Sequence, residues 1–333
     1  MQLDAVSSFP VEELLLTHLL FRPDGHHIVI GHRDLSLYEV LSGKPVRTFA
    51  FGRFVAWAGF SSDGRYLGAV NVGDHRPQTD GLARVYEVDT GELAFQARPR
   101  FPVQAGCFRG EGEHTVFLYR DALPEPGDGL PLRRERVRGV RLPSLEQDCE
   151  LELPNWRVRL LAAGAGLTLA GQDEASTCYQ VEGARLSYRR YKVGACSYPD
   201  GNSMRVRNLG FGVGLACLSP DGRFLALERP EFRAGQRQLC LVDVEAGTFS
   251  GLLPLPADVI PAFTFSRESA HLLSLTEDPE GRSTLLRLWD ARTGKQVAHT
   301  SLGLQYQAVA LNWPTRRIAL LGAGKCDIGL IAA

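Results

Sequence analysis

The sequence predicts an all-β chain, a seven-bladed β-propeller of four-stranded antiparallel blades. Three observations carry the prediction: a repeated Asp-Gly turn between short apolar runs, a second turn-bearing strand pair after the clearest copies, and the lack of a sustained 3.6-residue apolar pattern. The stretches "FRPDGHHIVI" (21–30), "FSSDGRYLGA" (60–69) and "LSPDGRFLAL" (218–227) align without gaps. Asp24-Gly25, Asp63-Gly64 and Asp221-Gly222 therefore hold equivalent places, and Asp-Gly between apolar runs is a strong hairpin signal. Looser copies are "FRGEGEHTVF" (108–117), "LAAGAGLTLA" (161–170), "FSRESAHLLS" (265–274) and "LNWPTRRIAL" (311–320). The turns fall near residues 24, 63, 111, 164, 221, 268 and 314, a mean period of about 48.

After a polar loop, the clearest copies continue into a second strand pair: "LSLYEVLSGKPVRTF" (35–49), "ARVYEVDTGELAF" (83–95), "LCLVDVEAGTFSGL" (239–252) and "LRLWDARTGKQVAH" (286–299). Four short strands every 40–50 residues or so is the signature of a propeller blade. The run Val11–Leu20 reads weakly as a helical turn, but "LLLTHLLF" sits where the first strand belongs. The expected organisation is one domain over 1–333. Its blades lie near 11–50, 51–97, 98–153, 154–195, 205–253, 254–302 and 303–333, the last joined by 1–10. The final copy provides only three strands, so "LDAVSSF" near the N-terminus is expected to supply its outer strand and close the ring.

"LRLWDARTGKQV" after "FSRESAHLLSL", and "LSPDGRFLAL" before "LCLVDVEAGTF", resemble the WD-repeat (Trp-Asp repeat) propellers, in a degenerate bacterial style. The resemblance spans essentially the whole chain and is strongest in the first, second, fifth and sixth units. One copy keeps the Trp-Asp pair, Trp289-Asp290, and no copy has the family's histidine in the turn before the first strand. The resemblance implies a non-enzymatic scaffold that binds a protein on the face built by b–c and d–a loops.

Composition narrows the function classes. Lys+Arg 37 against Asp+Glu 38 gives a net charge of −1, which provides no global field for nucleic acid or membrane. The positive charge is almost all arginine, with lysine only at 44, 192, 295 and 325, a bias that fits a GC-rich bacterial coding sequence. The 7 cysteines are scattered without a CxxC pair, which fits a reducing cytoplasm. The N-terminus lacks the basic start of a signal peptide and the length of a membrane span.

Catalytic and metal signatures fail one by one. "GAGKC" (322–326) lacks the first glycine of a phosphate loop and has Cys326 where a hydroxyl would hold magnesium. "GFGVG" (210–214) has no strand-to-helix context, and no G-x-S-x-G elbow occurs. His26, His27 and His32 crowd into seven positions, yet strand alternation sends the first two to opposite faces. His26 and His32 are then about 20 Å apart, far beyond one metal's reach. Only His32 remains a candidate for the ligand face. Neither metal nor cofactor is expected. The competing class is a lactonase-like or other metal-assisted propeller hydrolase. It would need Asp34, Asp74, Asp80, Asp173, Glu174, Asp278 or Glu280 to converge on a central channel.

The more suggestive pattern lies in the connections between blades. "FGRF" (51–54), "RPRF" (98–101), "NWRVR" (155–159) and "RVRNLGFG" (205–212) each join arginine to an aromatic residue, the types enriched at binding hot spots. Arg53, Phe54, Arg98, Arg100, Phe101, Trp156, Arg157, Arg205 and Arg207 are expected to form a basic crescent. The long loop "RDALPEPGDGLPLRRER" adds Arg133, Arg134 and Arg136. Such a surface suits an acidic or phosphorylated segment of a protein partner. The alternative is that the aromatics start the inner strands and the arginines are merely solvated. The expected state is a monomer.

Overall fold

The computed structural model describes residues 1–11, 18–52, 54–71, 81–99, 105–122, 135–153, 157–163, 167–172, 177–182, 187–192, 216–230, 237–243, 248–254, 262–277, 283–322 and 324–332. They form β-strands in groups of four. The chain opens with β1 (Leu3–Pro10) and then lays down β2 (His18–Phe21), β3 (His27–Gly31), β4 (Leu35–Glu39) and β5 (Pro45–Phe49). The next group is β6 (Val55–Phe60), β7 (Tyr66–Asn71), β8 (Leu82–Glu87) and β9 (Leu93–Ala97). It is followed by β10 (Gly106–Arg109), β11 (Val116–Ala122), β12 (Glu135–Arg141) and β13 (Gln147–Leu153). Then come β14 (Arg157–Ala163), β15 (Leu167–Gln172), β16 (Thr177–Glu182) and β17 (Ser187–Lys192). The C-terminal part holds β18 (Ala216–Leu218), β19 (Phe224–Pro230), β20 (Arg237–Asp243) and β21 (Thr248–Pro254), then β22 (Ala262–Phe265), β23 (His271–Glu277), β24 (Thr284–Asp290) and β25 (Gln296–Leu302). It ends with β26 (Ala308–Asn312), β27 (Arg317–Gly322) and β28 (Lys325–Ile331).

Six sheets take four consecutive strands each in meander order, β2–β5 through β22–β25. A further sheet has the order β1-β28-β27-β26, drawing its outer strand from the other end of the chain. All pairings are antiparallel where register is defined, for example Leu3 opposite Ile331 and Pro10 opposite Lys325. The expected four-stranded blades and the pairing of the N-terminal strand with the last sheet are present. The doubtful helix at Val11–Leu20 gives way to strand β2 from His18 onward.

The strands form because the turns demand it. Gly25, Gly64 and Gly222 have φ of 69°, 73° and 73°, the left-handed region that glycine enters without penalty. Ser61 donates to Asp63 Oδ1 at 2.6 Å and accepts the Tyr66 N–H at 2.9 Å, and Asp63 also takes the Arg65 N–H at 3.0 Å. Ser219 and Asp221 repeat this pattern with Arg223 and Phe224. Burial of Asp63 raises its pKa, but the Ser61 hydroxyl and the Arg65 and Gly112 N–H groups outweigh that and hold it below the usual carboxylate value.

Two turns depart from the expectation. In the sixth copy Ser269 takes the left-handed place at φ 61°, and in the last it is Arg316 at 52°, one residue past the place that Gly25, Gly64 and Gly222 hold in their copies. Arg316 N donates to Trp313 O at 2.9 Å, the bond that Gly222 N makes to Ser219 O. In the third copy the turn contains a short 3-10 segment, Gly112–His114.

Two compact units divide the chain: Met1–Gly31 with Ser36–Thr48 and Arg207–Ala333, and His32–Leu35 with Phe49–Val206. Within each, the core is a set of slabs between adjacent sheets. Phe224, Leu239 and Leu241 meet Phe263, Leu272 and Trp289 in one slab. Leu273, Leu286 and Leu288 meet Val309, Leu311 and Ile318 in another. In the second unit Tyr66, Val70 and Val85 meet Phe117, Tyr119 and Val140. Every residue of β7 is buried, whereas the outer β25 alternates between exposed and half-buried, as a strand covered on one face does. Gly68 lets the next sheet close in, since a Cβ there would lie 2.8 Å from the Phe117 ring.

Candidate functional site

The connection from β5 to β6 carries the best-defined exposed feature. Asp34 follows β3, and its Oδ1 accepts the N–H groups of Phe51 at 2.7 Å and Gly52 at 2.8 Å. Val55 N donates to His32 O at 2.7 Å. Arg84 Nη1 and the Tyr86 hydroxyl both donate to Ala50 O at 2.7 Å, and Phe51 is buried edge-on against Tyr86 with ring centroids 5.2 Å apart. With the backbone fixed at both ends, Phe54 is left 40% exposed. The His32 ring lies 5.4 Å from it, and the Arg33 guanidinium carbon sits 4.8 Å over its face. A rigid aromatic ring with a cation on its face is a preorganised contact point.

Of the predicted binding residues, Phe54 and Arg98 are exposed, the latter directly after β9. Arg157 begins β14, with Gln172 as its register partner. Arg53, Arg100, Phe101, Arg133, Arg134, Trp156, Arg205 and Arg207 lie outside the described residues. So do Asp74, Asp80, Asp173, Glu174, Asp278 and Glu280, and the glycine-rich 210–214. Asp34 is engaged in capping the β5–β6 connection, and among the described residues no three His, Cys, Asp or Glu side chains are grouped to hold a metal ion.

Arg136 does not join a free basic surface. Its Nη2 and Nε reach Asp121 Oδ2 at 2.7 and 3.0 Å, and its Nη1 reaches Glu150 at 2.9 Å. Burial works to lower its pKa, and the two carboxylates more than reverse that. "GAGKC" forms the link between β27 and β28, with Lys325 Nζ 2.8 Å from Asp327. His26 is exposed, and His27 turns its Nδ1 to Asp24 at 3.2 Å.

The Trp-Asp pair is structural. Trp289 is 3% exposed and donates Nε1–H to Ser274 Oγ at 2.9 Å across β24 and β23. Asp290 caps the following turn by accepting the N–H and hydroxyl of Thr293, both at 2.7 Å, which holds its carboxyl below the usual value. Arg33 was not singled out from the sequence. Its signal was its place beside His32 at the end of strand β3, next to the Asp34 cap.

No family model matches the sequence, and no curated protein is similar to it. Solved structures do match. A chain in the crystal structure of the mitotic checkpoint complex superimposes with a TM-score of 0.63 at 12% sequence identity, over 99% of this chain and 92% of that one. The fold is a β-propeller of four-stranded antiparallel blades. At that identity the likeness concerns the fold, and one fold hosts many functions. Among the described residues no helix is long and apolar enough to cross a membrane.

Proposed function

We propose that this propeller is a non-enzymatic, WD40-like platform that binds a protein partner on the end of its blades where b–c and d–a loops meet. The composite sheet is then a seventh blade that completes the ring. The observation that carries the reading is Phe54: an aromatic side chain 40% exposed, held by a backbone pinned through Asp34 and covered by the Arg33 cation. Large exposed aromatics on rigid connections bury much area on binding at little entropic cost. The arginine-aromatic connections through Arg98, Arg100, Trp156 and Arg205 extend the same chemistry toward an acidic or phosphorylated segment. The solved neighbour comes from a protein assembly, which supports partners of the same class. The dispersed cysteines support a cytoplasmic setting.

The test is quantitative capture from native-host extract with wild type, Phe54→Ala, Trp156→Ala and an Arg98/Arg100→Glu double variant, each checked for folding. A specific partner should bind at least tenfold more weakly to Phe54→Ala, about 1.4 kcal/mol or more. Folded variants that keep every partner at wild-type strength would remove this surface from consideration.

A further inference from the structure

His271 opens β23, directly after the turn that ends at Ala270. Its backbone is fixed in both directions: its N–H donates to Ser266 Oγ at 3.1 Å, and its carbonyl accepts the Ser266 N–H at 2.8 Å. The side chain reaches the neighbouring sheet. There the Trp313 ring, just past β26, has its centroid 3.9 Å from that of the imidazole, with the planes inclined by 30°. Trp313 in turn packs on the slab that holds Leu273, Leu311 and Ile318. The imidazole is the polar end of an apolar seam between two sheets.

The ring is sealed on one side. Nδ1 is buried with no hydrogen-bond partner, whereas Nε2 is not among the sealed atoms. A neutral imidazole tolerates this by carrying its proton on Nε2 and leaving a lone pair at Nδ1. An imidazolium does not, because its Nδ1–H would find neither water nor an acceptor. The surrounding charges do not remove that cost. Asp290, the register partner on β24, and Glu268, in the turn before β23, attract a proton to the ring, but neither carboxylate bonds the buried nitrogen. Asp290 gives its Oδ1 to Thr293, and Glu268 is exposed. Arg267, Arg292 and Arg316, on the turns beside the ring, are exposed as well, and Arg317 is turned to the Gly25 carbonyl. Burial outweighs the two carboxylates and holds His271 below the ordinary histidine value of 6.5.

We propose that His271 and Trp313 form a proton-sensitive latch between the β22–β25 sheet and the sheet of β26, β27, β28 and β1, closed while the imidazole is neutral and loosened when it gains a proton. The new Nδ1–H regains hydration only when the ring turns off the indole, so acidification opens the seam at Trp313. With the folded value below the unfolded one, the native chain binds fewer protons than the unfolded chain across that interval. The latch is therefore at full strength above about pH 6.5 and weakens as pH falls through the folded value. The inference does not depend on the surface around Phe54.

The full chain, labelled at histidine 13Cε1, is titrated by NMR, with the His271 resonance assigned by its loss in His271→Gln. Wild type should titrate below 6.5, and Trp313→Ala, which unseals Nδ1, should move the midpoint toward 6.5. Amide exchange of residues 311–316, corrected for its intrinsic pH dependence, reads the seam itself. Wild-type protection there should fall about threefold or more from about pH 7.5 to about one unit below the measured midpoint. His271→Phe, whose ring cannot titrate, should keep its protection. A wild-type midpoint at or above 6.5, as a cation–π gain on the indole would produce, overturns the proposal. So does an unmoved midpoint in Trp313→Ala, undiminished wild-type protection, or an equal loss of protection in His271→Phe. If a variant does not fold, the wild-type midpoint and wild-type protection decide the matter.

Discussion

Replacing Gly25 by alanine tests the turn and the packing of neighbouring sheets together. Gly25 has φ 69°, where a Cβ costs about 1–2 kcal/mol, partly offset by about 0.4–1 kcal/mol because alanine restricts the unfolded chain. A second cost comes from outside the turn. The new Cβ would lie 2.6 Å from Thr315 Cγ2 and 2.7 Å from its Oγ1. Thr315 does not swing aside freely, since its hydroxyl is tied to Asn312 Oδ1 at 2.9 Å. Overpacking of this kind costs about 1–3 kcal/mol, so Gly25→Ala should lose about 2–4 kcal/mol in all. In a Thr315→Ala background the two closest contacts disappear, leaving only Cβ at 3.2 Å, and about 1–2 kcal/mol should remain. Urea denaturation of the four proteins gives the cycle directly, with the m-value checked for constancy. An equal penalty in both backgrounds would refute the contact, and no penalty in either would refute the left-handed turn.

Trp289→Phe keeps most of the buried ring but leaves the Ser274 hydroxyl without its donor, and should cost about 2 kcal/mol. Adding Ser274→Ala should recover part of that loss; if the double variant is less stable than Trp289→Phe, the bond is not the reason. Asp327 tethers the outer strand, accepting from Ser8 and Tyr306, both at 2.5 Å, and pairing with Lys325. Burial raises its pKa, but these partners outweigh burial and leave it below the usual value of 3.8. The folded pKa is depressed, so its contribution is full above about pH 4 and is lost as pH falls through the folded value. Acid denaturation of Asp327→Asn should therefore lack that part of the wild-type slope, and parallel curves would count against the tether.

The parts of the fold that could be read in the sequence are those where one residue type is required by backbone conformation. Asp24-Gly25, Asp63-Gly64 and Asp221-Gly222 announce their turns because the carboxylate caps the following N–H groups and glycine accepts positive φ. Ser269 and Arg316 adopt the same conformation without that chemistry. Their turns were visible only as weak copies, and the last was placed one residue early. The candidate site was half legible. Phe54 was expected from its arginine-aromatic connection, but its exposure depends on the Asp34 cap and on Arg84 and Tyr86 holding Ala50, contacts between residues distant in sequence. Arg136 looked like a free charge because its partners Asp121 and Glu150 lie on neighbouring strands.

The pairing of β1 with β28 sets the order of events at the ribosome. Ser8 and Asp327, which meet across that pair, are 319 residues apart. Closing a loop of that length costs about 5 kcal/mol of chain entropy before any contact is made. Synthesis at roughly 5–20 residues per second leaves β1 waiting on the order of 15–60 seconds for its partner. During that interval the first strand is an open edge beside blades that can already form, exposed to pairing with other nascent chains. The final sheet is therefore a checkpoint of chain length: a polypeptide stopped before β28 keeps its first strand unpaired.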